Sequence, residues 1–275
     1  MTRFVHLRAH SEYSLVDGLL RIKSFVAGVA ATQMPAVALT DESNVFGLVK
    51  FYRHALSQGV QPILGVDCWA ESAIGPSRLT LLAMNQTGYR HLLALLSLGW
   101  QTGQIDGRPV LRDAWLAEHA DGLIVLSGGI DGELARLVDA GREQDASARL
   151  AVLSARYPNR FYLEISRLGR QGEVKWIAQA AQWSATFGVP LVATNPICFM
   201  RPDDFEAHET RVCIHEGYTI DDASRVKRHT DQQYLKTPEE MAALFPEFPD
   251  ALENSVLIAQ RCGVVLTLGT YFLPD

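Results

Sequence analysis

The stretch that decides the fold runs from Arg3 to Gly18 and reads RFVHLRAHSEYSLVDG. An extended strand would divide its first half between two faces, one with Val5, Leu7 and Ala9 and the other with His6, Arg8 and His10. A polar turn follows and carries Ser11, Ser14 and Asp17. Ionisable side chains on one strand face, followed by a polar loop, predict a functional site at the C-terminal end of the strand. The same alternation also fits an edge strand whose polar residues are solvated.

The composition is that of a soluble globular protein with a full core, since 48% of the 275 residues are hydrophobic and 20% are charged. This length suffices for one large α/β barrel or for two small domains. The apolar runs are shorter than the roughly 18 to 20 residues of a membrane span, and the N-terminus lacks the apolar segment of a signal peptide. We therefore expect a cytoplasmic protein that does not contact membranes.

Cysteine spacing and net charge narrow the function classes. The cysteines are scattered without a CxxC pair, which predicts reduced thiols rather than a disulfide framework or a zinc knuckle: Cys68, Cys198, Cys213 and Cys262. The net charge of −6 argues against a strong nucleic-acid binder. A short basic run, Arg225, Lys227 and Arg228, is the candidate for a local nucleic-acid contact. Nearby aspartates offset its charge, so a solvated loop is the simpler interpretation.

Short apolar strands alternate with amphipathic helices along most of the chain. The predicted strands after the first are 36–40, 61–71, 79–84, 122–126, 161–165 and 189–194. The predicted helices are 22–33, 45–58, 89–100, 132–139, 146–157, 174–187, 203–215, 239–245 and 251–260, and an extended tail covers 268–275. Such alternation indicates a mainly parallel sheet, and the number of units favours a barrel over an open sheet.

Polar residues collect at the predicted strand ends, which meet at one face of a parallel barrel. They are Arg8, His10, Asp17, Asp41, Glu42, Asp67, Arg78, Asn195 and Cys198. Histidine, carboxylate and cysteine side chains that converge in this way suggest a multi-metal hydrolase. The two arginines argue against it, because a guanidinium stays protonated and cannot ligate a cation.

Several ordered blocks of the sequence carry a family resemblance. These blocks are RFVHLRAHSEYSLVDGL, MPAVALTDESNVFGLVKFY, GVQPILGVD, LTLLAMNQTGYRHLLAL, GLIVLSGG, FYLEISRLGR, PLVATN and FEAHETRVCIHEG. Together they resemble the N-terminal polymerase and histidinol phosphatase (PHP) domain of bacterial DNA polymerase III alpha subunits. The resemblance implies an α/β fold, the irregular (β/α)7 TIM-like barrel of PHP proteins, as a single domain over residues 1–275. Residues from about 268 to 275 would then begin the connection to a polymerase palm.

The resemblance also implies a metal-ligand pattern, from which this chain departs at most positions. His10 and Asp17 match the pattern. Three positions hold other potential donors: Glu42 and Cys198 replace histidines, and Asp67 replaces a glutamate. Four positions hold residues that cannot ligate: Arg8 and Arg78 replace histidines, Gly129 replaces a cysteine and Pro196 replaces an aspartate.

These departures favour a degenerate phosphoesterase without metal cofactor and without activity, in which arginine–carboxylate pairs replace metal–carboxylate bonds. The parent chain would be a DNA-directed DNA polymerase, a nucleotidyltransferase of DNA replication, which contacts DNA. The domain itself would be a scaffold on which the proofreading exonuclease subunit docks. The alternative is an active phosphoesterase or 3′–5′ exonuclease with zinc or manganese held by the five potential donors.

Two further residues are candidates beside these positions. Asp41 precedes Glu42 at the end of a predicted strand. His208 lies in a predicted helix and in a segment resembling one that closes the barrel face in the family. As a single helical histidine, it is interpreted as a hydrogen-bonded structural residue rather than a ligand.

Overall fold

In the computed structural model, which describes residues 4–269, strands and helices alternate along the chain. The strands are β1 (Ala36–Leu39), β2 (Gln61–Ala70), β3 (Ser77–Ala83), β4 (Gln104–Ile105), β5 (Arg108–Leu111), β6 (Leu123–Leu126), β7 (Phe161–Ile165) and β8 (Leu191–Ala193). The helices are α1 (Ile22–Ala31), α2 (Leu48–Ser57), α3 (Gln86–Thr102), α4 (Asp113–Glu118), α5 (Glu133–Asp139), α6 (Glu143–Arg156), α7 (Glu173–Phe187), α8 (Phe205–Glu216), α9 (Pro238–Leu244) and α10 (Pro249–Arg261).

The predicted order of elements is confirmed, with ends that differ by one to three residues. The sequence did not predict the β4–β5 hairpin or α4. These elements are only two to six residues long, so they carry little periodicity. Most of the predicted extended tail, with the proposed connection to a palm domain, lies outside the described residues.

The sheet is mainly parallel but contains two reversed strands, β3 and the short β4, which is antiparallel to β5. Its order is β4-β5-β2-β3-β6-β7-β8, and β1 pairs in parallel with β2. β3 is antiparallel to both of its neighbours, β2 and β6. The start of β3, where Arg78 lies, is therefore at the same end of the barrel as the carboxyl ends of β2 and β6. Arg78 joins the strand-end residues because its strand runs backwards.

The N-terminal segment at 4–10 closes the barrel. On one side it pairs with β1, because the backbone carbonyls of His6 and Ala9 accept hydrogen bonds from Ala38 and Thr40. On the other side it pairs with the chain just after β8, through a parallel bridge between Ala9 and Ile197. Seven extended segments therefore surround the barrel, namely 4–10, β1, β2, β3, β6, β7 and β8. The predicted irregular seven-stranded barrel is confirmed.

The first segment contains a bulge that changes which side chains face inward. Its two hydrogen bonds to β1 lie three residues apart on the segment, from His6 to Ala9, but only two apart on β1. One extra residue is therefore inserted, and the alternation of faces shifts. Val5 and Leu7 pack in the barrel interior, while Ala9 joins the outer core. The predicted single apolar face of 5, 7 and 9 is wrong, as is the edge-strand interpretation, because residues 4–10 are all buried.

Inward-facing residues change from apolar to polar along most strands, whereas both inward positions of β6, Ile124 and Leu126, are apolar. The apolar layer lies at the amino end of the parallel strands and consists of Val5, Leu7, Ala36, Ala38, Ile63, Leu82, Ile124, Tyr162 and Val192. α10 packs against this layer and closes that end of the barrel, where Gln61 Nε2 donates 2.9 Å to the carbonyl of Ala259. The opposite end opens as a polar mouth.

The fold therefore places its functional side chains at one end of the barrel. Each fully buried aliphatic side chain in the apolar layer contributes about 1.5–3 kcal/mol, and these contributions support the less favourable burial of charge above it. All four cysteines are free thiols. In the part of the chain that the structure describes, no helix combines the length and apolarity of a membrane span.

Candidate functional site

The barrel mouth opens into a cavity of about 1320 Å³. Of the nine positions in the expected ligand pattern, all except one line it: Arg8, His10, Asp17, Glu42, Arg78, Gly129, Pro196 and Cys198. The remaining one, Asp67, is buried directly beneath Arg8 and His10, with which it forms hydrogen bonds. The structure thus brings the predicted site residues together.

Arg8 lies between two buried carboxylates. Its Nε and Nη2 donate to Oδ2 of Asp67 at 2.9 and 2.6 Å, and its Nη1 donates to Oε1 of Glu164 at 2.9 Å. Hydroxyls of Thr80 and Thr194 donate to the same two carboxylates. Burial favours the neutral form of Asp67, but the Arg8 guanidinium outweighs it and holds the pKa of that carboxyl well below its usual range. The pair is therefore ionised at neutral pH.

Glu164 is a site residue that the sequence analysis missed. It is the only charged residue of β7, FYLEI, and it is fully buried. A lone carboxylate within an apolar strand must be paired or neutralised, so its presence predicts a buried cationic partner. Glu164 could have been identified from the sequence, because it lies two residues after the inward-facing Tyr162 in β7 and therefore shares its face.

His10 is held between two carboxylates. Its Nδ1 lies 2.9 Å from both oxygens of Asp17, and its Nε2 lies 2.8 Å from Oδ2 of Asp67. Burial disfavours the charged imidazole, but Asp17 and these hydrogen bonds raise the pKa of His10 well above its usual value. Both ring nitrogens therefore act as donors, and neither offers a lone pair to a metal.

Arg78 and Glu42 form a second ion pair at the mouth, with 2.5 Å between Arg78 Nη2 and Glu42 Oε2. The other oxygen of Glu42 accepts a hydrogen bond of 2.9 Å from the Trp69 indole. The guanidinium carbons of Arg78 and Arg108 lie 4.0 and 4.2 Å from the centre of the Trp69 ring. Stacked cations of this kind are attracted to the ring face. Arg108 belongs to the β4–β5 hairpin, which the sequence did not predict.

Asp41 lies among hydroxyl and amide groups and supports the polar turn. It accepts hydrogen bonds from the backbone of Ser11 at 2.6 Å, from the Ser11 hydroxyl at 2.8 Å and from the Ser14 hydroxyl at 3.0 Å. Burial raises the pKa of the Asp41 carboxyl. Asp41 therefore positions the turn that carries Asp17.

Three of the expected ligand positions carry neither a charged side chain nor an imidazole, namely Gly129, Pro196 and Cys198. Gly129 begins a short 3-10 turn after β6, and Pro196 contributes only its carbonyl, which accepts a hydrogen bond of 3.4 Å from Gln233. Cys198 is buried, and burial together with the Asp17 charge raises the pKa of its thiol to about 11. Of the three, only Cys198 offers a side-chain donor.

Two predictions about the chain after β8 are wrong. His208 is fully buried, yet neither ring nitrogen has a hydrogen-bond partner among residues 4–269, so it is not a hydrogen-bonded structural histidine. Arg225 is buried and bound to Glu209 at 2.6 Å, which removes it from any solvated basic patch. Lys227 and Arg228 are exposed, and Arg228 lies 3.4 Å from Glu216.

The architecture and its mouth define a class of protein, the β/α barrels whose polar site is built on strand ends. The family model that matches residues 6–168 is the PHP domain, and the chain belongs to this family.

The most similar relatives found are polymerase subunits. The chain is 50% identical over 275 residues to the DNA polymerase III subunit alpha of Pseudomonas aeruginosa, covering 99% of this chain and 23% of the relative. It is 42% identical over 276 residues to the corresponding subunit of Escherichia coli K12, covering 99% and 24%. The chain thus spans about a quarter of the length of these relatives.

A solved structure also aligns with the fold. It is a two-domain protein from Bacteroides vulgatus that contains a predicted PHP-like metal-dependent phosphoesterase. The TM-score is 0.47 and the identity 13%, over 93% of this chain and 63% of that one.

The family implies a metal centre, and the donors at the expected positions fit it poorly. His10, Asp17 and Cys198 place one potential donor atom each within 4.8 Å of one another, but both ring nitrogens of His10 are engaged by carboxylate oxygens, of Asp17 and of Asp67. Arg8 occupies Asp67 and Glu164, and Arg78 occupies Glu42. A second group, Cys198, His208 and His229, meets the same distance criterion with two residues outside the expected pattern.

Proposed function

We propose that this chain is the PHP domain of a replicative DNA polymerase alpha subunit, and that it acts in DNA replication as a scaffold rather than as a phosphoesterase. The identity to polymerase subunits over almost the whole chain supports the first part. One observation carries the second: Arg8 binds Asp67 and Glu164 at the point where a hydrolytic metal would bind carboxylates.

Charge explains why this arrangement opposes catalysis. Metal-dependent phosphoesterases use cations with an open position to bind phosphate and to activate water. At about 4 Å, two positive charges repel by roughly 4 kcal/mol at an effective dielectric of 20. The guanidiniums of Arg8 and Arg78 therefore disfavour a cation beside the carboxylates that they bind, which are Asp67, Glu164 and Glu42. They also form ion pairs with these carboxylates, so the mouth stays folded without a metal at the expected ligand positions.

The alternative is an active metal-dependent phosphoesterase or 3′–5′ exonuclease. The proximity of His10, Asp17 and Cys198 supports it, together with the metal-dependent chemistry named for structural neighbours such as the Bacteroides protein. It requires His10 to give up one of its two ring protons, although Asp17 at Nδ1 and Asp67 at Nε2 both favour the charged ring.

Arg8→His should not restore hydrolysis. The substitution returns one ligand of the pattern, but Arg78, Gly129 and Pro196 still leave the coordination sphere incomplete and cationic. We expect no cleavage of p-nitrophenyl phosphate or of a 3′-labelled oligonucleotide by wild type or variant, with Mn²⁺ or Zn²⁺ added. His10→Ala, which lacks the one histidine that matches the pattern, sets the background. Activity of either protein above that background would favour the alternative.

The scaffold role predicts a stable complex with the proofreading exonuclease subunit of the same replicase. The 275-residue chain and the exonuclease subunit should elute together in size-exclusion chromatography, with the mass of a one-to-one complex by light scattering. Arg8→Ala serves as the comparison variant for complex formation. It should loosen the mouth without altering the outer surface of the domain. Separate elution of the two wild-type proteins would contradict docking on this domain.

A further inference from the structure

Three potential metal donors meet at the edge of the barrel mouth, and they come from three separate segments. Cys198 lies on the extension of β8, His208 on α8 and His229 on the segment that follows α8. One donor atom from each lies within 4.8 Å of the others. The two imidazole rings are 4.7 Å apart between centroids and inclined at 75°. The fold therefore brings two histidines from outside the expected ligand positions next to Cys198.

Three of the four ring nitrogens of His208 and His229 lack a hydrogen-bond partner within the described chain. Neither nitrogen of His208 forms a hydrogen bond within the described chain, although the ring is completely buried, and Nδ1 of His229 is also buried without a partner. Buried polar groups in native proteins are normally satisfied, and an exception calls for an unseen water or ion. The buried and unpartnered Nε2 of His208, beside the Cys198 thiol and the His229 imidazole, favours an ion.

We propose that Cys198, His208 and His229 form a binding site for one zinc ion, and that the neighbouring Asp17 moves in as the fourth ligand. Oδ2 of Asp17 lies 3.6 Å from Nε2 of His229, a separation close to that of two ligands on one tetrahedral ion. Thiolate, imidazole and carboxylate are the ligands that zinc takes in such sites. Only Cys198 and Asp17 belong to the pattern that the family resemblance implies.

A neighbouring carboxylate faces the Nδ1 atoms of both imidazoles, at distances beyond a direct hydrogen bond. Oε1 of Glu209, itself without a partner, lies 3.7 Å from Nδ1 of His208 and 3.9 Å from Nδ1 of His229. Its other oxygen is fixed by Arg225 at 2.6 Å. A carboxylate beside one nitrogen of a metal-bound histidine keeps the proton there and leaves the other nitrogen for the metal. Glu209 thus assigns Nε2 of both histidines to the ion.

The site is structural in kind. Four protein ligands complete a tetrahedral zinc and leave no open position for an activated water. The ion would fasten α8 and the segment around His229 to the β8 extension, across the edge of the mouth. It therefore does not restore the hydrolytic centre, and it is compatible with a scaffold role.

Zinc content and thermal melting test the proposal in the 275-residue chain. Protein produced with zinc and then dialysed should retain one zinc per chain by plasma mass spectrometry. Cobalt should substitute with a thiolate charge-transfer band and the visible bands of a four-coordinate ion. Free zinc at about 100 times its Kd should raise the melting temperature by at least about 5 °C over the chelated protein.

Matched variants locate the ion. Cys198→Ser and His229→Ala should lose the zinc and the zinc-dependent rise in melting temperature. His229 is half-buried, so His229→Ala should fold, and its melting temperature in chelator should equal that of the wild type. Cys262→Ser, a buried thiol elsewhere, and His215→Ala, an exposed histidine of α8, should keep the ion. His10→Ala should also keep it, because His10 belongs to the family pattern and not to this site.

Several results would overturn the proposal. These are the absence of stoichiometric zinc in the wild type, retention of zinc by His229→Ala, or loss of zinc in His10→Ala. The last result would assign the ion to His10, Asp17 and Cys198 instead.

Discussion

Arg8→Ala should lower the free energy of unfolding at pH 7 by about 3–5 kcal/mol, the usual cost of leaving a buried charge without its partner. The side chain of Arg8 is 9% exposed, and those of Asp67 and Glu164 are 1% and 0% exposed. Without the guanidinium, the two buried carboxylates keep as donors only His10, two threonine hydroxyls and the backbone amide of Gly128. This loss is a large fraction of the 5–15 kcal/mol that stabilises a typical domain.

The effect of Arg8→Ala should shrink in acid. Arg8 depresses the pKa of Asp67 below its usual 3.8, so the ion pair stabilises the fold above that pH. The contribution is lost as the pH falls through the depressed pKa of the folded state, because a protonated carboxyl needs no cation. Urea unfolding of wild type and variant from pH 7 down to pH 2 measures the difference above and well below the ordinary pKa of 3.8.

Arg142→Ala is the matched control for charge removal. Its ion pair with Asp145 is 2.7 Å long, but the side chains are 42% and 56% exposed. An exposed pair contributes about 0–1 kcal/mol. Equal losses of stability in Arg8→Ala and Arg142→Ala would show that Arg8 does not balance buried charge.

Gly18→Ala should destabilise the chain by about 3 kcal/mol or more, since overpacking against fixed backbone has few routes of relief. A Cβ at Gly18 would lie 1.8 Å from the carbonyl oxygen of Ser11, within the turn that carries Asp17. Relief of the clash must move the turn, and Asp17 would then leave His10. Chemical denaturation measures the loss, and the chemical shifts of the His10 ring report the displacement.

Gly263→Ala separates this clash from the general effect of replacing glycine. A Cβ there meets nothing within 4 Å, and the backbone has no positive φ. We expect a change within about 1 kcal/mol, in the stabilising direction, because alanine restricts the unfolded chain. Similar stabilities for both variants would refute the close approach at Gly18.

The sequence predicted the site better than the local geometry that builds it. Polar residues at the ends of strands were sufficient to collect Arg8, His10 and Asp67 in one place, since parallel strands end at a common face. Arg78 precedes its predicted strand and joins them because β3 is reversed. The reversal of β3 was also readable, because residues 71–76 are too few for a crossover between parallel strands. The bulge near Arg8 was not, because one inserted residue leaves the polarity pattern of a short segment intact.

Contacts from irregular segments were the least predictable. His229 and Glu209 flank His208 in space, but His229 lies on a segment without helix or strand periodicity. Only tertiary packing brings it near Cys198. The unpartnered nitrogens of His208 are likewise a property of the packed structure. A sequence shows which polar groups need hydrogen-bond partners, but it does not show which of them lack a partner after folding.

Barrel closure by the first segment has a consequence for synthesis on the ribosome. Ala9 finds its first partner strand at β1, yet its other partner, Ile197, is made almost 190 residues later. At about 5–20 residues per second, the N-terminal strand waits roughly 10–40 s for that partner. During this interval Arg8 and His10 have no closed barrel around them and remain hydrated. The energetically costly burial of these charges is therefore deferred until nearly all of the apolar framework that supports it has been translated.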